Sequence, residues 1–168
     1  MTVAAQTGSV QYAGFWRRVL AFIIDAIILS IAGGVINFAL TLIFGLFGLA
    51  IDPKAMDAND PATQRTMMIL GYAILGTMVP INVIGQWLYF ALMESSSAQA
   101  TLGKMALQLK VTDLDGRRVG FGRATGRYFA KFLSALIILI GYIMAGLTAR
   151  KQALHDIIAG CLVIRDPA

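Results

Sequence analysis

Histidine and cysteine occur once each in the 168 residues, as His155 and Cys161, and only 14% of the chain is charged. One cysteine excludes an internal disulfide and a multi-cysteine metal site, and one histidine excludes a zinc-binding His pair. With a hydrophobic share of 58%, so few charges leave too little polar surface for a soluble domain, where about a quarter of residues are charged. Charge is also missing in blocks. None falls from Ala26 to Ile51, from Thr66 to Met93, or from Phe132 to Ala149. A helix crossing a bilayer needs roughly 20 apolar residues. The first two blocks meet that length and the third is marginal.

The expected fold is an all-α polytopic membrane protein forming one domain over residues 1–168, with a core over about 12–164. Spans are expected at about 17–45, 67–93 and 128–149, the third being either a crossing or a helical hairpin around Gly141. The first apolar run is too long for a signal-peptide core, and no Lys or Arg precedes Arg17, so it reads as a retained span. Tyr12, Phe15 and Trp16 ahead of Arg17 and Arg18 suit a helix entering from the headgroup region. Gly45 to Gly48 could loosen the end of this span. Pro80 lies near the middle of the second, where it removes a backbone hydrogen bond and favours a kink.

Between Glu94 and Lys131 the chain turns polar and basic, with seven Lys/Arg against three acids. Leu107, Leu109 and Val111 alternate with polar residues, which predicts a short strand. Asp115-Gly116 is a turn signal, so a small cytoplasmic β-hairpin through Val119 is expected. Residues 122–130 mix basic and apolar positions like an interfacial helix. Cys161 to Ile164 offers a second strand beside Leu107 to Val111. The loop from Ile51 to Arg65 is net acidic and the flanks at Arg17, Arg18 and residues 94–131 are basic. The positive-inside rule then places the N-terminus of a multi-pass membrane protein in the cytoplasm.

The net charge of +5 is explained by headgroup contact rather than nucleic acid, for which the chain has no binding pattern. His155-Asp156 does not read as a catalytic pair, because neighbours on a helix do not face each other. Gly103-Lys104 lacks the glycine spacing and Ser/Thr of a phosphate loop. No enzyme, cofactor or resident metal is expected.

Asp25 is the most informative polar residue. A carboxylate inside a span costs several kcal/mol unless paired, hydrated or protonated, so it is a functional candidate by default. Arg18 precedes it by seven positions, on nearly the same helix face, with a rise of about 10 Å between them. Pairing is expected directly or through water. The alternative to ion or proton handling is a structural ion pair. Asn82 and Gln86, at i,i+4 spacing, read as donors to Asp25 or as ordinary interhelical amides. Glu94 reads as an interfacial acid or a partner for Arg17 or Arg18.

Three segments together, AGFWRRVLAFIIDAII, TLGKMALQLKVTDLDGRRVGFGRATGRY and KQALHDIIAGCLVI, resemble the RDD family of bacterial membrane proteins over nearly the whole chain. The resemblance implies that Arg18 is the family arginine and that Asp25 and Asp156 are its two aspartates. Gly103, Lys104, Gly116 and Arg127 fit the family's basic middle segment. Cys161 departs mildly from the family's ending and stands for a small hydrogen-bonding residue, not redox chemistry. Transport is suggested for the family, with sodium/proton antiport proposed for some members. The leading expectation is therefore a transport component for small cations or protons. Asp25 would titrate or transiently hold a cation, Arg18 would tune it, and Asp156 would act as a gate or latch. The alternative is an accessory scaffold that organises a partner complex. The expected partners are the lipid bilayer, a cation or proton, and a second copy of the chain through Gly33-Gly34 or the Gly71/Gly76 region.

Overall fold

A computed structural model describes residues 11–51, 59–136 and 140–165. The order is α1 (Phe15–Ile51), α2 (Pro61–Ser95), α3 (Leu102–Ala106), β1 (Leu109–Asp113), α4 (Phe121–Leu136), α5 (Ile140–Leu147), α6 (Leu154–Ala159) and β2 (Cys161–Arg165). The two long helices are apolar enough to cross a membrane, and each runs past the span expected for it. Gly45 to Gly48 stays helical because leucine and phenylalanine surround it and a helix meets its own backbone hydrogen bonds without water. Pro80 also lies inside a continuous helix.

The chain falls into two compact units, Met1–Ala26 with Trp87–Ala168, and Ile27–Gln86. The boundaries fall within α1 and α2. In the Ile27–Gln86 unit most large apolar side chains point outward, among them Ile31, Val35, Phe38, Leu46, Met68 and Leu75. In water this would be unstable; against hydrocarbon it is what a spanning helix presents. The unit's main polar contact is internal: the Asn82 amide donates to Asn37 Oδ1 at 2.9 Å and to the Met78 carbonyl at 2.8 Å.

The other unit holds the small sheet and the short helices. β1 and β2 pair antiparallel, with Leu109 opposite Arg165, Val111 opposite Val163 and Asp113 opposite Cys161. Val111, Val163 and Cys161 are fully buried in an apolar cluster with Leu109, Val119, Ala13 and Ala21. The strand pair expected between Leu107–Val111 and the C-terminus therefore forms. The expected hairpin is reduced to a tight turn in which Thr112 bridges Arg118 and the Asp113 N–H donates to the Arg117 carbonyl at 2.9 Å. Leu107 caps α3 instead of entering the strand, and Gln108 takes a left-handed φ of 55°. That reversal starts β1 at Leu109.

The third apolar segment is not one straight helix. α4 ends at Leu136, and the helix resuming on the far side of a short break is bent by 97°. A Cβ added at Gly141 would lie 2.8 Å from the Ser134 Cα. Only glycine lets the start of α5 approach α4 so closely. α4 packs chiefly on α6, turning Ala124, Arg127, Tyr128, Ala130 and Ser134 inward.

Candidate functional site

Asp25 is fully buried on α1. Its partners come from α2 and the start of α3, and Arg18 is not among them. Thr101 Oγ1 donates to one carboxylate oxygen at 2.5 Å. The other accepts from the Tyr89 hydroxyl at 2.7 Å and the Gly103 N–H at 2.8 Å. The Gly103 N–H is one of the donors that a helix start leaves without an intrahelical partner. An N-cap threonine usually meets such a donor. Thr101 makes no side-chain cap and gives its hydroxyl to Asp25, so Asp25 receives both. Tyr89 completes the arrangement by accepting the Leu102 N–H at 3.0 Å. The fit leaves no room: a Cβ on Gly103 would lie 2.1 Å from the Ala21 carbonyl oxygen.

Arg18 pairs with Asp156 instead. Its Nε donates to the Ala13 carbonyl at 2.9 Å, and another guanidinium N–H reaches the Lys151 carbonyl at 2.7 Å. One side chain thus ties together the N-terminal segment, the turn before α6, and α6 itself. Asp156 is buried at the third position of α6, where one of its oxygens accepts the Ala153 N–H at 3.1 Å. Its other oxygen accepts from Arg127 Nε at 2.8 Å and lies 2.7 Å from a terminal Arg127 nitrogen in an ion pair.

Arg127 is the centre of the cluster. Its remaining terminal nitrogen donates to Glu94 at 2.6 Å, so one fully buried guanidinium bridges the end of α2 to α6. A rigid, permanently charged fork suits two carboxylates on opposite sides. Lys104 closes on the second Glu94 oxygen, and Lys131 approaches that oxygen at 3.8 Å. Burial alone would push Asp156 upward, but the guanidiniums of Arg127 and Arg18 hold it well below the usual carboxylate range. Burial pulls the Lys104 ammonium down, against the attraction of Glu94. His155 lies beside the cluster with Nδ1 3.2 Å from Ser134 Oγ and its ring against Tyr142. Burial, helped by nearby Arg127, lowers its pKa to about 3. Cys161 is buried, donates weakly to the Ala159 carbonyl, and has its thiol pushed up to about 11 by burial.

Of the residues singled out from sequence, Arg18, Asp156, Arg127, Glu94 and Lys104 form one network, and Asp25 has a polar pocket of its own. Arg17 and Gln86 are exposed. Asn82 bonds to Asn37. Sequence reasoning missed Tyr89, Thr101 and Lys131. The Thr-Leu-Gly-Lys run was the available signal, because a hydroxyl, a glycine and a buried lysine within four positions mark a tight polar junction.

A model of the RDD family matches residues 12–160. The chain belongs to the RDD family. It is 40% identical over 152 residues to YxaI of Bacillus subtilis (strain 168), described as an uncharacterized protein, covering 90% of this chain and 96% of that one. It is 31% identical over 161 residues to YteJ of the same organism, described as an uncharacterized membrane protein, covering 92% and 82% respectively. No solved structure matches significantly. Arg18, Asp156 and Asp25 thus occupy two polar centres, with Arg18 and Asp156 in one and Asp25 in the other.

Proposed function

We propose that this RDD domain is an accessory structural module of the bacterial membrane, which organises a partner complex without itself moving ions or catalysing a reaction. The observation that carries this reading is the engagement of both Asp25 oxygens, which accept three hydrogen bonds from Tyr89, Thr101 and the Gly103 N–H. A carboxylate that cycles a proton or a cation has to exchange ligands at each turn. Here that exchange would release the first turn of α3 and leave buried donors unpaired, at about 1–3 kcal/mol each.

The surrounding charge supports the same reading. The cavity beside Asp25 is also lined by Arg18, Lys104, Arg127 and Lys131, and this basic lining does not favour entry of a metal cation. The basic balance of residues 94–131 favours a cytoplasmic position for this cluster, where it would hold the helix ends in register and present the basic segment to a partner.

The test is ion flux. Purified protein in liposomes is expected to give no sodium- or potassium-driven proton movement above protein-free liposomes. Flux in the wild type would overturn the reading. Flux abolished in a folded Asp25→Asn variant would restore Asp25 as a titrating site.

A further inference from the structure

Arg18, Asp25, Lys104, Arg127, Lys131 and His155 line a cavity of about 440 Å³. Its remaining walls are apolar, with Phe15 and Phe22 of α1, Phe90 of α2 and Ile143 of α5 among them. That volume is in the range of sites that bury a ligand of a few dozen atoms. A chamber lined by both apolar side chains and a basic cluster fits a molecule that is itself divided into an apolar and an anionic part.

The charge count gives the sign. Arg18, Lys104, Arg127 and Lys131 stand against Asp25, Glu94 and Asp156, and the carboxylates are already engaged. Glu94 holds Lys104 and Arg127, Asp156 holds Arg127 and Arg18, and Asp25 is bonded by uncharged donors. Lys131 is the basic group left over. Its ammonium lies 4.0 Å over the Phe90 ring and 3.8 Å from Glu94, and it makes no hydrogen bond among the described residues. A cation–π contact offsets some lost hydration, yet it leaves the three N–H donors free. His155 adds no further positive charge, since burial keeps it neutral.

We propose that this cavity binds one anionic phospholipid from the surrounding bilayer, its phosphate on Lys131 and part of an acyl chain against Phe15, Phe22 and Ile143. A phosphate brings acceptor oxygens and the negative charge that the cluster lacks, and the acyl chain covers apolar wall that water wets poorly. The lipid would then be a structural ligand, which goes beyond the accessory role proposed above and does not depend on it.

The experiment uses the full chain in a mild neutral detergent. Phosphatidylglycerol and phosphatidylcholine of identical acyl chains are added in turn, and bound lipid is counted by native mass spectrometry. The wild type is expected to retain one phosphatidylglycerol per chain at least 10-fold more strongly than phosphatidylcholine, and to unfold at a higher temperature with it. Lys131→Gln should lose the preference and Lys131→Arg should keep it. Ala135→Phe, which fills cavity wall without altering charge, should weaken retention of the lipid. Equal retention of the two lipids by the wild type would overturn the proposal, as would undiminished preference in a folded Lys131→Gln. Inorganic phosphate that raised the unfolding temperature as much as the lipid would replace the lipid with a free anion.

Discussion

The guanidinium of Arg18 closes on the carboxylate of Asp156, 138 positions further along the chain, and not on Asp25 seven positions away. Arg18 and Asp156 therefore join distant parts of the sequence, while Asp25 organises the start of α3. Each of these polar residues has a partner whose loss should be measurable.

Arg127→Met is the most damaging single change expected. It leaves Glu94 with Lys104, Asp156 with Arg18, and neither with the bridge between them. Breaking a buried pair by removing one partner costs about 3–5 kcal/mol, which should appear as a large fall in the unfolding midpoint in detergent. Arg127→Lys should recover only part, because an ammonium lacks the planar fork needed to reach both carboxylates. Full recovery by lysine would mean that charge alone matters there.

Thr101→Val keeps the shape of the side chain but removes the donor to Asp25. A lost hydrogen bond to a charged group costs about 1.5–3 kcal/mol. Thr101→Ser should restore most of it. Equal unfolding midpoints for the valine and threonine forms would show that the Asp25–Thr101 contact contributes nothing to the fold.

Gly103→Ala tests space. The added Cβ would meet the Ala21 carbonyl oxygen at 2.1 Å and the Asp25 Cγ at 2.9 Å, so the backbone of α1 or α3 must shift. Overpacking of this kind costs about 1–3 kcal/mol or more. Gly34→Ala is the control. Nothing lies within 4 Å of its added Cβ, and alanine is the better helix former by up to about 1 kcal/mol. The unfolding midpoint should fall for the first and hold or rise for the second.

The two long helices could be read directly, because the absence of charge from Thr66 to Met93 reflects a solvent requirement that acts on every residue. Asp25 stood out for the same reason. The partner of Arg18 could not be read. Helix geometry brings Asp25 to the same face, but sequence distance says nothing of Asp156, which arrives only when α6 packs on α4. Thr101 and Gly103 were hidden for a related reason. A threonine before a short helix normally caps it, and its diversion to Asp25 appears only once α1 lies alongside. The hairpin expected near Val119 is cut short to the Thr112–Arg118 bridge because β1 finds a longer partner in β2.

His155 should give the fold a pH dependence. Its pKa is depressed in the folded state to about 3, against an ordinary value of about 6.5 in an unfolded chain. The unfolded chain therefore binds the extra proton between those values. The stability from keeping His155 neutral is complete above about pH 6.5 and declines as pH falls toward about 3. Unfolding midpoints at pH 7.5 and 4.5 should differ more for the wild type than for His155→Gln. An identical pH slope in both would remove His155 from the account.

The most direct measurement is a pair of double-mutant cycles on unfolding free energy, using Arg18→Met with Asp156→Asn and Arg18→Met with Asp25→Asn. Arg18 and Asp156 should couple by about 1.5 kcal/mol or more, as residues sharing a buried network do, whereas Arg18 and Asp25 should be additive to within about 0.5 kcal/mol. Strong coupling of Arg18 to Asp25, with none to Asp156, would contradict the Arg18–Asp156 pairing described here and return Asp25 to a charge-paired role.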